Sequence, residues 1–185
     1  MSANETATAL DALLPRLIEI RHALHARPEL SGAETWTSAY VGEILARLEL
    51  DTLRTGVGGH GIVAEIRGAR AGRTVALRAD MDALPVTEEP GAPYCSTTPG
   101  VMHACGHDGH TTILIGVAHI LARRRKDFAG TVRLLFQPAE ETVKGAEALC
   151  ADGAMDGVDR VFALHGCTKL AAANIDTTTW PQPSP

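Results

Sequence analysis

The sequence predicts an α/β protein, a three-layer α/β/α sandwich around a mixed sheet. Three observations carry that prediction. Apolar residues recur at helical spacing in separate segments, and short runs rich in Val, Ile and Leu alternate with those segments. Two of the runs are divided only by a glycine-bounded turn, which implies an antiparallel pair within an otherwise parallel arrangement.

The first helix is predicted over residues 8–25, where Leu10, Leu13, Leu14, Leu17, Ile18 and Leu24 recur at helical spacing. Pro15 kinks it or marks its true start, because proline is tolerated in a first turn. Pro28 and Gly32 end the element. A second helix is expected over 33–48, with Trp36, Tyr40, Val41, Ile44, Leu45 and Leu48 on one face. Residues 55–61 spell G-x-G-x-x-G, which binds dinucleotides only between a strand and a helix. A strand over 62–66 follows instead, so the glycines read as a turn. The next strand, 74–78, lies beyond a turn at 68–72, and the two are expected to form a hairpin. Pro90, Pro93, Pro99, Gly91 and Gly100 make 88–100 a loop. A helix over 111–124, a strand over 131–136, a short helix over 145–150 and a buried strand over 161–164 complete the series.

At 185 residues the chain suffices for one domain with a sizeable core. Aromatics supply only 4%, so Ala, Val, Leu and Ile must build that core. A formal charge of −5 argues against nucleic acid as a partner. The basic run Arg123-Arg124-Arg125-Lys126 closes a predicted helix, whose carbonyls attract cations. No apolar run reaches membrane-spanning length, and Met1-Ser2-Ala3-Asn4-Glu5 lacks the basic start of an export signal. A cytoplasmic protein with no membrane partner is expected. Cys95, Cys105, Cys150 and Cys167 are irregularly spaced and read as reduced thiols.

The densest chemistry lies in Met102-His103-Ala104-Cys105-Gly106-His107-Asp108-Gly109-His110. Imidazole and thiolate are preferred ligands of zinc and its neighbours, and glycines let the backbone turn several side chains toward one point. A polar loop with His103 and His110 solvated would explain any one of these residues. The packed cluster favours a metal. In an extended loop, Cys105 and His107 point the same way.

Asp80 and Asp82, Glu140 and Glu141, and His165 each fall just past a predicted strand end. In open α/β sheets, that edge is where binding crevices form. Taken singly they read as turn residues, a helix N-terminus and an exposed strand end. Taken jointly they can meet the cluster. One carboxylate on a metal beside another free to move protons is what hydrolysis needs.

The blocks Leu77-Arg78-Ala79-Asp80-Met81-Asp82-Ala83-Leu84-Pro85, Met102 through His110, and Phe136-Gln137-Pro138-Ala139-Glu140-Glu141 resemble the M20 metallopeptidase family. The similarity is to its amidohydrolase branch, which includes hippurate hydrolases, N-acyl-amino-acid amidohydrolases and auxin-conjugate hydrolases. Arg21-His22-Ala23-Leu24-His25-Ala26-Arg27-Pro28-Glu29-Leu30 and Glu34 fit the same branch, so the resemblance spans about residues 10–166. It implies a zinc-exopeptidase-like fold and two divalent metal ions, zinc or manganese. Cys105 would bridge them, with His107, Glu141 and His165 as further ligands. Glu140 would be the general base and acid, and Asp82 would orient a ligand imidazole. The substrate would be an N-acyl amino acid or a related small amide. The acyl and amino-acid preference stays open, as does any homo-oligomer.

The family also has an inserted lid or dimerisation domain and a late histidine ligand, which this chain is expected to lack. After His165 come Gly166-Cys167-Thr168-Lys169-Leu170 where a Trp-Pro-type continuation is expected. Residues 1–166 are therefore expected to be a partial catalytic domain, incomplete at its C-terminus, and 167–185 an irregular tail. Two other readings compete: an inactive metal-binding fragment, and a thiol hydrolase with Cys105 as nucleophile and His107 or His110 as base. The second leaves the paired glutamates and His165 without a task.

Overall fold

The computed structural model describes residues 3–166, so the tail expected over 167–185 lies outside the described residues. In chain order the elements are α1 (Ala3–Ala26), α2 (Thr35–Leu45), β1 (Thr52–Val57), β2 (Gly61–Arg67), β3 (Arg70–Asp80), α3 (His107–Ala122), β4 (Ala129–Gln137), α4 (Gly145–Ala151) and β5 (Arg160–Ala163). The five strands form one mixed sheet in the order β1-β2-β4-β3-β5. Strands β3, β4 and β5 run parallel, whereas β2 is antiparallel to both β1 and β4.

Side-chain alternation sends each strand's apolar residues to two covered faces. Ile62, Ala64, Ile66, Ala79, Leu134 and Phe136 pack against Leu17, Ile20, Leu24, Val41, Leu45 and Ile115 of α1, α2 and α3. On the opposite face Val63, Ala76 and Leu135 meet Leu149 of α4 and Ala154. Three layers result, as expected. Among the described residues no helix is long and apolar enough to cross a membrane.

Several local expectations need correction. Strands β2 and β3 do not form a hairpin, because β4 lies between them. Leu134 of β4 stands opposite Ala64 on one side and beside Leu77 on the other. The apolar strand thus takes the centre, where both of its faces are buried. The Gly68-Ala69 link crosses the start of β4, with the Gly68 N–H donating to the Gly130 carbonyl at 2.8 Å. Only glycines fit this crossing. A Cβ at Gly72 would stand 2.7 Å from the Gly130 nitrogen, and Gly130 itself has φ +82°. The true hairpin is β1–β2. Strand β1 escaped notice because Gly56, at φ 75°, sits at a register shift that breaks its alternation.

Helix α1 runs through Pro15, where the adjoining turns are exposed to water that can serve the freed carbonyl. Its apolar residues also divide. Leu17, Ile20 and Leu24 are buried, whereas Leu10, Leu14 and Ile18 are exposed and line a trough of about 590 Å³ with Ile113 and Val117 of α3. Helix α3 starts at His107, earlier than the periodicity suggested, so part of the histidine cluster is helical rather than looped. Finally, β5 is not buried. It pairs with β3 at the sheet's edge, and Val161 and Phe162 are 49% and 58% exposed.

Candidate metal centre

The three parallel strands end on one edge of the sheet, and the N-terminus of α3 opens at the same edge. Asp80 closes β3, with Asp82 two residues beyond. Glu140 and Glu141 follow β4, and His165 follows β5. The sheet therefore brings every strand-end residue singled out in the sequence to one place.

Cys105 precedes α3 and His107 begins it. Gly106 between them adopts φ +86°, so a left-handed turn sets their directions rather than an extended loop. Donor atoms of Cys105, His107 and Glu141 all lie within 4.8 Å of one another. The His165 Nε2 lies 3.5 Å from the Cys105 Sγ. Glu140 reaches the same point, its Oε2 standing 3.9 Å from the His107 Nε2. The convergence expected of these five residues is present.

Backbone carbonyls orient both the helix-start and the strand-end imidazole. The His107 Nδ1 donates to the Asp82 carbonyl at 2.8 Å, and the His165 Nδ1 to the Gly166 carbonyl at 2.7 Å. Each ring thereby turns a lone pair on Nε2 toward Cys105 and Glu141, the tautomer a metal ligand requires. The His107 Nε2 is buried with no hydrogen-bond partner, as is the Glu141 Oε1. Buried polar atoms without partners are costly. Here they face one another across thiol, imidazole and carboxylate donors, and that donor set fits divalent cations such as zinc.

The glutamate loop is held from beneath. The Ala139 N–H donates to the Glu34 carboxylate at 2.7 Å and the Glu141 N–H to the Asp82 Oδ2 at 3.0 Å. Ala139 and Val143 take positive φ values of 50° and 60°, so this loop is strained where it carries the acids.

Electrostatics follow from the crowding. Burial raises the Asp82 carboxyl, but hydrogen bonds from His107, Ser31 and the Glu141 and Glu140 backbone outweigh it and bring its pKa to about 2. Burial would push His107 down, yet Asp82 and Asp80 beside it lift it above the ordinary value. Burial followed by the charges of Glu141, Glu140 and Asp80 pushes the Cys105 thiol up to about 11. A thiol raised in this way is held mainly protonated, which weighs against a thiol hydrolase. A bound cation reverses that bias, because a coordinating thiol loses its proton.

Two residues were underrated from sequence. From sequence, Asp80 is a strand-end acid and His110 a cluster member or the base of a thiol hydrolase, yet Asp80, His107, His110 and His165 also bring donor atoms within 4.8 Å of one another. The i, i+3 spacing of His107 and His110 on one helical face was the available signal. His103 and His110 are not solvated either. His103 is buried with neither ring nitrogen partnered among the described residues, and burial pushes its pKa down to about 4.

Fold and site together define an α/β domain with a cluster of His, Cys, Asp and Glu side chains that could hold a metal ion at the C-terminal edge of its sheet. Residues 76–178 match the model of peptidase family M20/M25/M40, and the chain belongs to that family. It is 42% identical over 172 residues to the N-acetyl-L-cysteine deacetylase of Bacillus subtilis, covering 93% of this chain and 41% of the relative. It is 44% identical over 180 residues to the N-acyl-L-amino acid amidohydrolase of Geobacillus stearothermophilus, covering 95% and 47%. The crystal structure of the Bacillus subtilis YXEP protein, described as a dinuclear metal binding peptidase of the M20 family, superposes with a TM-score of 0.83. That pair shares 40% identity over 86% of this chain and 45% of the other. This chain thus spans less than half the length of the relatives it matches.

Proposed function

We propose that this protein, in residues 1–166, is the metal-binding catalytic part of an amidohydrolase acting on N-acyl amino acids or related small amides. Cys105, His107, Glu141 and His165 would hold two divalent ions, zinc or manganese, with Cys105 contributing a thiolate. The observation that carries the proposal is the Glu140 carboxylate. It stands beside the His107 Nε2 at 3.9 Å, within reach of the donor cluster.

Bound ions supply Lewis acidity, polarising the substrate carbonyl and making a water easier to deprotonate. Glu140 takes the proton of the attacking water and delivers it to the departing amide nitrogen. Asp82 holds His107 through its backbone carbonyl and holds Glu141 through the N–H it accepts, so two proposed ligands keep their relative placement, with Glu140 next to one of them in the chain. Among the described residues Cys95, Cys105 and Cys150 are free thiols, which supports a reducing compartment, the cytoplasm.

A second reading, an inactive metal-binding fragment, draws support from the exposure of His165, two residues beyond the end of a four-residue edge strand. One experiment separates them. Protein loaded with zinc or manganese is assayed for release of free amino acid from N-acetyl and N-benzoyl amino acids, beside Glu140→Gln. Turnover lost in the variant with metal content unchanged supports the catalytic reading. Undiminished turnover in the variant removes the role given to Glu140, and an inert metal-loaded wild type supports the fragment.

A further inference from the structure

We propose that His110, held by Asp80, is a positioning residue that fixes His165 at the metal site. The proposal rests on the reading of His165 as a ligand and adds to it a residue outside the proposed ligands Cys105, His107, Glu141 and His165.

Both nitrogens of His110 are committed to the protein. Its Nε2 accepts the Gly166 N–H at 2.9 Å, so the ring proton sits on Nδ1 and is donated to the Asp80 Oδ1 at 2.6 Å. With Nε2 occupied in this way, His110 has no lone pair to offer a cation despite its place among potential donors. Asp80 is fully buried, and its other oxygen accepts from the Arg78 Nη1 at 2.6 Å. Arg78 in turn donates through Nε to the Gln137 Oε1 at 2.9 Å. One hydrogen-bonded chain therefore runs from the end of β4 through β3 and α3 to the residue after His165.

That chain meets a need. Strand β5 is only four residues long and exposed, and His165 lies beyond its end. Among the described residues, the other polar contacts of the His165 side chain are the carbonyl of its neighbour Gly166 and the Cys105 Sγ. The Gly166 N–H bond to His110 ties this segment to the helix that carries His107. The rings of His110 and His165 lie 4.6 Å apart, so moving one disturbs the other.

The test is a cobalt(II) and zinc(II) titration of chelator-stripped wild type, His110→Ala, His165→Ala and the double variant, each first checked for folding by circular dichroism. Wild type should take up two ions. His165→Ala should weaken one of them, and His110→Ala should weaken the same one by about 10–100-fold, the usual loss when a residue orienting a ligand is removed. The double variant should be no worse than His165→Ala alone, because the two act through one contact. His110→Gln, which keeps an acceptor for the Gly166 N–H, should recover part of the loss and of the cobalt absorption spectrum. Unchanged affinity for both ions in His110→Ala overturns the proposal. So do losses that add in the double variant, which would make His110 a ligand in its own right. A wild type that takes up no ion removes the metal reading itself, and the positioning role falls with it.

Discussion

Replacing Asp82 by Asn tests the electrostatic design of the site without touching a proposed ligand. The carboxyl is 1% exposed and receives the Ser31 hydroxyl at 2.6 Å and the Glu141 N–H at 3.0 Å. Its fall from the ordinary 3.8 to about 2 corresponds to about 2.4 kcal/mol at neutral pH, at roughly 1.36 kcal/mol per pH unit. The sign follows from the depressed value. The folded state holds the carboxylate while the unfolded state binds protons below 3.8, so the contribution is complete above that pH and fades as pH falls toward about 2. Urea unfolding of wild type and Asp82→Asn with chelator present should show a gap of about 2 kcal/mol that stays flat from pH 8 to 5 and narrows below pH 4. A gap that is absent at pH 7, or that survives undiminished at pH 3, would refute the assignment of Asp82 as a charged hydrogen-bond hub.

Other outcomes follow from the same geometry. Cys105→Ala should lower metal affinity by more than the roughly 10–100-fold lost with an orienting residue, read by competition with a chromophoric chelator. Equal affinity would remove the thiol from the ligand set. Gly130→Ala should destabilise by more than the approximate 1–2 kcal/mol of a left-handed alanine, because its Cβ also meets the Arg73 carbonyl. Gly59→Ala, with φ +98° and nothing within 4 Å, isolates the strain alone, and equal urea midpoints for the two would argue against a tight crossing. Phe162→Lys should reduce light scattering at high protein concentration, since β5 offers an exposed apolar edge. Unaltered scattering would place the association elsewhere.

Much of the site was readable because it is coded by residue type at strand ends. Asp82, Glu140, Glu141 and His165 follow apolar runs whose termini any parallel sheet aligns, and Cys105 and His107 flank a glycine. What stayed hidden depends on partners distant in sequence. The glycines at 68 and 72 look like hairpin punctuation from nearby residues alone. Their actual task, letting a later strand pass beneath, involves Phe128 and Gly130, some 60 residues away. Likewise nothing local marks His110 as different from His107. Only the fold places Asp80 and the Gly166 N–H against its two nitrogens. The exposure of β5 was equally illegible, because Val161-Phe162-Ala163-Leu164 has the composition of a central strand.

The crossing of Gly68-Ala69 over β4 also dictates an order of assembly. When β2 and β3 have left the ribosome, the slot between them is empty, and its occupant, Ala129–Gln137, has yet to be made. At about 5–20 residues per second, roughly 3 to 11 seconds separate the end of β3 from the end of β4. During that interval Val63, Ile66 and Leu77 sit on strands whose inner margins have no neighbour. A newborn chain of this topology is most vulnerable to pairing with another before its middle strand arrives, and early chaperone contact would protect that gap.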